Sequence, residues 1–452
     1  MTRYALAVLF LAACAMDCGS LGQAEQRQFP LSISENGRFL VDSSGAPFLY
    51  NADTAWFVMD RLSVGQYRDY LDDRAAKKFN VIQVMAPWNH DVNNYYGEPP
   101  FLKHADLSTP NEKWWDRLDS FADMAAERGM AVNITALWLG YRGQEWFEVL
   151  TQNDLRKCRQ FGRFLGKRYR NRRNVIFTIG GDHDPQDRYP LLNQIALGIK
   201  DVIPKRLLTA HAWEDKLASD VYGSASWLDL NSVYTYFPRW NANHHVYALC
   251  LEAFNRMPSK PFILIESGYE KGSIPGVVRV ELSDIRREVY WSILCGSTGF
   301  AYGNSDIWPF RPNWAQAMND PGASQVRRAY ELLSGYAWHT LVPDQDHSLL
   351  IDGYGKFNAG KTVGGDDYAM AACAADGTFA MVYVPNTGAG TRTMRMDTKK
   401  LSVDPVRATW FNPVDGARRP AGVFPRAGGP WELTTPGENG GNANDWVLVM
   451  QK

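Results

Sequence analysis

Residues 174–185, NVIFTIGGDHDP, decide how the chain is read. A short apolar run, VIFTI, has the composition of a buried strand. It passes through Gly180-Gly181 straight into Asp182, His183 and Asp184. Apolar strands seldom end in a carboxylate, an imidazole and another carboxylate. In an α/β barrel, though, the carboxyl ends of the strands are where the chemistry sits.

The same unit recurs outward from this stretch. PFLYN reads as a strand followed by the helical spacing of SVGQYRDYLDDRAAKKF, and NVIQVMAPW as a strand followed by NEKWWDRLDSFADMAAERG. MAVNITALW leads to TQNDLRKCRQFGRFLGKRY, and NVIFTI to QDRYPLLNQIALGIKDV. RLLTAHA, LDLNSVYTY, PFILIES and TGFAYG supply four more strands, with helices expected over 244–255, 281–294 and 321–338. The helical link after RLLTAHA is weak. Strands alternating with helices over roughly 300 residues predict an α/β chain folded as a (β/α)8 TIM barrel with long loops. A doubly wound open sheet is the competitor, but no G-x-G-x-x-G follows the first strand. Before the barrel, ISENGRFLVDSSGAPF predicts a hairpin turning at Asn36-Gly37 and Ser44-Gly45. From Asp344 the texture changes to short strands split by Asp-Gly, Pro and Asn turns, as in DDYAMAACAADGTFAMVYVPN and DWVLVMQK. The expected organisation is therefore an export signal over 1–24, a barrel with its hairpin over 28–343, and a small all-β sandwich over 344–452.

Lys+Arg 48 against Asp+Glu 49 leaves a net charge of -1, which removes the electrostatic case for nucleic acid or an acidic membrane. Sixteen Trp and 21 Tyr are many for this length; such rings either fill cores or stack on sugars. Near the N-terminus, Arg3 precedes an apolar run too short to span a membrane. Within it Leu11-Ala12-Ala13-Cys14 matches a lipoprotein box, with a lipid anchor to the outer membrane through Cys14; the other reading is plain cleavage near Ala24. The mass of the mature N-terminus separates the two. Cys158, Cys250, Cys295 and Cys373 lack CxxC spacing and read as buried free thiols.

The strand ends deliver a set of polar and aromatic residues. Asp53 and Trp56 follow strand one, Trp88 and Asn89 strand two, Trp138 strand three, and Asp182 with His183 strand four. His211 ends strand five, Tyr234 and Tyr236 strand six, Glu266 strand seven, and Tyr302 with Asn304 strand eight. Any one alone could be a cap or a core polar group. Two carboxylates stand out, because glycoside hydrolysis needs one group to protonate the leaving oxygen and another across the sugar. Strands four and seven lie nearly opposite in an eight-strand barrel, so Asp182 and Glu266 can face each other. Glu266 follows the buried run FILI, where an unpartnered carboxylate is costly. Asp184 before Pro185 reads as a helix cap. Asp182, His183, Asp184 and His211 also admit a hard divalent site, but the chain has no H-x-H or H-E-x-x-H, so neither metal nor cofactor is expected.

Four stretches carry a resemblance: ADTAW at 52–56, GGDHDP at 180–185, ESGYE at 266–270 and GFAYGNSDIW at 299–308. They resemble the apiosidase-like catalytic domain of glycoside hydrolase family 140. ATWFNPVDG at 408–416 and the closing WVLVM resemble the small β domain that accompanies it. The resemblance implies a (β/α)8 exo-acting glycosidase of a pectin-degrading bacterium, with Asp182 as acid/base and Glu266 as nucleophile. Asp53, Trp56, Trp88, Asn89, Trp138, His211, Tyr234 and Tyr302 would then bind the carbohydrate substrate, supported by His183 and Glu270. Leu264-Ile265 departs from the acidic or small residue and glycine expected before that Glu. The alternative function is a catalytically inactive surface glycan-binding lipoprotein. A polysaccharide lyase would need more basic residues at the strand ends.

Overall fold

The structure is a computed structural model that describes residues 28–236, 244–272, 279–360, 362–386, 388 and 390–452. The expected export signal, with Cys14 and Cys18, lies outside the described residues. Eight parallel strands form the barrel wall: β1 (Tyr50–Thr54), β2 (Val81–Met85), β3 (Ala131–Thr135), β4 (Val175–Gly180), β5 (Leu208–His211), β6 (Asn231–Tyr234), β7 (Phe262–Glu266) and β8 (Gly299–Tyr302). The ladders run continuously from β5 back to β1 and on through β8 and β7 to β6. The ring closes where Leu230 N–H donates to the Leu208 carbonyl at 3.2 Å and the Ser232 hydroxyl donates to that of Ala210.

That seam explains the weak helical signal after RLLTAHA. The chain leaving β5 folds Lys216–Leu217 back antiparallel along the upper end of β6, and the helix that follows, Ala218–Tyr222, is one short turn. Elsewhere the helices are long enough to cover the wall. Val64–Ala76 starts on a Ser63/Gln66 capping box, so two of its orphan N-terminal donors are satisfied. Leu155–Arg168 starts on Asp154, whose carboxylate accepts from Lys157 N–H at 2.7 Å. It packs on Tyr189–Val202 through facing glycines, Gly162 and Gly198, where a Cβ on either would strike the other helix's backbone. Before the barrel, three short antiparallel strands (Ser32–Ile33, Leu40–Val41, Pro47–Phe48) turn at the two expected places, Asn36-Gly37 and Ser44-Gly45.

Inside the barrel Tyr50, Ala52, Val81, Ala131, Ile176, Ile263 and Ile265 make an apolar floor. Above it the Tyr50 hydroxyl, Gln83, Asn133 and Thr178 form a buried chain of hydrogen bonds of 2.8–3.1 Å. This layer satisfies its own polar groups and leaves the strand ends above free for other work. Cys158, Cys250, Cys295 and Cys373 are buried free thiols.

The C-terminal region pairs a six-stranded and a three-stranded antiparallel sheet. Alternation in Ala380–Val384 and Trp446–Gln451 gives the larger sheet two apolar faces. Val382, Leu448 and Trp446 pack toward the smaller sheet, while Met381, Tyr383, Val447 and Val449 join the barrel's own core. The first strand of the larger sheet is Leu341–Pro343.

Candidate active site

Gly180, Gly181 and Asp182 all have positive φ, at 75°, 146° and 54°. Gly180 and Gly181 reach those angles without a Cβ penalty, and Asp is among the few other residues that tolerate the left-handed region. The turn is also forced by packing. A Cβ on Gly181 would lie 2.1 Å from the Trp138 ring, and one on Gly180 2.7 Å from the Tyr222 hydroxyl. The glycines thus make room for Trp138, and the indole in turn becomes a wall of the cavity. Asp182 emerges half-buried, with its carboxylate accepting from the Tyr234 hydroxyl at 2.9 Å.

Glu266 arrives by a different device. Val233 pairs with Leu264 but Tyr234 pairs with Glu266, so Ile265 is an extra residue in β7. Simple alternation would turn Glu266 to the outside with Leu264. The bulge re-aims it inward, opposite Tyr234. There its carboxylate accepts from Tyr269 OH at 2.8 Å and Tyr236 OH at 3.4 Å, and pairs with His211 Nε2 at 2.9 Å. Since a carboxylate only accepts, His211 Nε2 carries the proton. His211 Nδ1 lies 3.0 Å from the Ala212 carbonyl and 3.4 Å from Asp182 N.

Burial, and then the charge of Glu266, push the Asp182 carboxyl up to about 7, against the pull of His211 and Tyr234. Burial alone would lower the pKa of His211, but its hydrogen bond and charge contact with Glu266, aided by Asp182, hold it above the ordinary value. One acid kept protonated beside a hydrogen-bonded partner carboxylate is the division of labour that glycoside hydrolysis uses.

Both carboxylates open on a 350 Å³ cavity walled by Trp56, Phe57, Met85, Trp88, Trp138, Tyr141, Glu145, Tyr236, Tyr269 and Trp308. Trp56 Nε1 donates to Tyr269 OH at 2.8 Å, and Trp88 stacks on Phe57 at 4.2 Å while its N–H donates to Asp60. Burial pushes that Asp60 carboxyl up to about 7 despite the Trp88 bond. A larger cleft of 720 Å³ lies at the opposite, strand-start end, lined by Phe48, Asn80, Arg128 and Tyr330 among others. Barrel chemistry belongs to the strand ends, so the smaller cavity is the candidate.

Of the residues expected at the site, Asp182, Glu266, Trp56, Trp88 and Trp138 line the cavity. His211 and Tyr234 stand just behind, holding the two carboxylates. The other five lie elsewhere. Asp53 points outward from β1 to the Tyr70 hydroxyl and to Arg74 at 3.5 Å, where burial pushes its carboxyl up to about 6. Tyr302 also points outward, donating to Glu270, which accepts from Gly322 N–H at 3.1 Å and so anchors the start of helix Pro321–Ser334. His183 packs edge-on against Phe147 and Trp213. Asn89 accepts from Asp91 N–H at 2.8 Å and shapes its own loop. Asp184, read as a helix cap, instead accepts from Trp213 N–H at 3.2 Å and pairs with Lys216, so the Asp-His-Asp run does not converge on a metal. Tyr269, Trp308, Tyr141 and Glu145 were missed. Tyr269 and Trp308 sit inside ESGYE and GFAYGNSDIW, a few residues past the strand ends; Tyr141 and Glu145 belong to a long loop after β3 without a local signal.

Residues 34–340 match the family model described as "Apiosidase-like, catalytic domain", and residues 356–451 match one described as "Putative collagen-binding domain of a collagenase". No curated protein matches the chain. Among solved structures, one named "Glycoside hydrolase" has a TM-score of 0.80 at 24% identity, covering 93% of this chain and 96% of its own. A glycoside hydrolase family 5 protein from Bacteroides vulgatus has a TM-score of 0.81 at 24% identity, covering 93% of each chain.

Proposed function

The chain belongs to the apiosidase-like family of catalytic domains and is a glycoside hydrolase of that type; from that premise we propose that it removes terminal units from the side chains of plant pectic polysaccharides. The observation that carries the reading is the pair Asp182 and Glu266, brought from β4 and β7 to one aromatic-walled cavity. The cavity's 350 Å³ suits a terminal unit better than a polymer threading through. Trp56, Trp88, Trp138 and Trp308 offer flat apolar faces to the C–H faces of a sugar.

In the proposed course Glu266 attacks the anomeric carbon as Asp182 gives its proton to the leaving glycosidic oxygen. The C–O bond to the leaving group breaks as a glycosyl–Glu266 ester forms. Asp182, now ionised, takes a proton from water, whose oxygen displaces Glu266 from the sugar. Tyr269 and His211 hold the Glu266 oxygens and stabilise the charge that returns to them. The test is incubation with a panel of pectic side-chain oligosaccharides, including apiose-capped ones, with products identified by chromatography. Release of single terminal units is expected. Internal fragments alone would overturn the exo reading, and tight binding without release would leave the glycan-binding alternative.

A further inference from the structure

We infer that His90, Asp91 and His104 form a binding site for one divalent transition-metal ion of the zinc class. His104 Nε2 lies 2.7 Å from Asp91 Oδ1 and 3.2 Å from His90 Nδ1, and His90 Nδ1 lies 3.3 Å from Asp91 Oδ2. One ligand atom from each residue falls within 4.8 Å of the others. A ring nitrogen has a single in-plane direction, for a proton or for a lone pair. His104 Nε2 cannot aim it at both neighbours, and neither can His90 Nδ1. If both rings donate to Asp91, two N–H groups crowd within 3.2 Å of each other; if one ring donates to the other, the donor's proton points away from Asp91. A cation between the three atoms uses all three lone pairs at once.

The spacing suits such an ion. Metal–ligand bonds of about 2.0–2.2 Å place neighbouring tetrahedral ligands about 3.3–3.5 Å apart, close to the 3.2 and 3.3 Å contacts of His90 and about 0.6–0.8 Å wider than the 2.7 Å His104–Asp91 contact. Asp91 and His104 side chains are 67% and 56% exposed and can open by that amount, leaving a fourth position for water. Two imidazoles and one carboxylate oxygen favour zinc, cobalt or nickel over calcium or magnesium. The surroundings orient the ligands: His90 packs edge-on against Trp146, and the Asn89 side chain fixes the Asp91 backbone.

His90 and Asp91 sit on the loop after β2, and His104 on the excursion closed by the Phe101–Pro110 bridge. An ion there ties the two together two residues from Trp88, a cavity wall. None of the three ligands lines the cavity, so the ion is a staple for the loop and takes no part in the chemistry.

The experiment uses the full chain without an affinity tag, stripped with chelator and titrated calorimetrically with ZnCl2. Thermal unfolding is followed in parallel. One equivalent should bind with a Kd on the order of 10 µM or below and raise Tm by about a few degrees. His104→Ala and Asp91→Ala should each weaken binding by about tenfold or more and abolish the Tm rise, with stripped Tm values equal to wild type. Absence of binding in wild type, or unchanged stoichiometry and affinity in His104→Ala, overturns the site.

Discussion

Asp182 carries opposing demands. In its proposed role as proton donor it has to hold its proton near neutrality, and burial together with the Glu266 charge raises its carboxyl to about 7. The basic limb of kcat/KM should therefore fall as pH rises through about 7. Asp182→Asn and Glu266→Gln should each lower turnover by about 10²-fold or more while far-ultraviolet dichroism stays unchanged. Wild-type turnover in either variant removes that residue from the chemistry. The same shift has a stability cost. An unfolded Asp titrates near 3.9, so the native state binds the proton more tightly, and stability falls as pH rises between about 4 and 7. Asp182→Asn should recover up to about 4 kcal/mol at pH 8 and nothing below about pH 4, as read by urea unfolding at the two pH values.

Elements position these residues through close packing. The seam between helices Leu155–Arg168 and Tyr189–Val202 depends on two glycines, and the second helix follows the Asp182 turn. A Cβ on Gly198 would come within 2.4 Å of the Arg159 carbonyl and 2.9 Å of Gly162 Cα. Gly198→Ala should cost about 1–3 kcal/mol by forcing the helices apart. Gly65, in the first turn of helix Val64–Ala76, meets only Ser63 Oγ at 3.8 Å. Gly65→Ala should be neutral or stabilising by up to about 1 kcal/mol, because alanine restricts the unfolded chain. Equal Tm losses in both variants would contradict the packing argument. Strand order, helix positions, the N-terminal hairpin and the short strands of the C-terminal region could be read from periodicity and turn residues. The bulge at Ile265 could not, because FILIES alternates no differently from an unbroken strand.

Across the whole molecule, the larger C-terminal sheet shares a packed core with the barrel. Arg286 in helix Leu282–Leu294 forms two bonds of 2.6 and 2.7 Å to Asp445, which also accepts from Tyr383 OH at 2.9 Å. Tyr290 stacks on Tyr383 at 5.0 Å, and Trp291 Nε1 donates to the Tyr368 carbonyl at 3.0 Å. Asp445→Ala leaves a buried guanidinium without its carboxylate and should cost about 3–5 kcal/mol. Calorimetry should show one shifted transition for the whole chain. A separate early transition of the C-terminal sheets alone would mean that they are an independent module.

The alternation of strands and helices, the glycine turn after β4 and the candidacy of Asp182 and Glu266 were legible along the chain, because period, turn residues and apolar runs are local properties. The sequence overreached at Asp53, Tyr302 and Glu270: a polar residue at a strand end can face either the cavity or the helices, and one strand's pairing settles which. Legible only in three dimensions are the packing of Trp138 over Gly181, the bulge that turns Glu266 inward, and the holding of Asp182 by Tyr234 and of Glu266 by His211. Each of these depends on contacts between residues far apart in the chain. Burial and the charge of Glu266, three strands away, raise the Asp182 carboxyl, and no local pattern carries that effect.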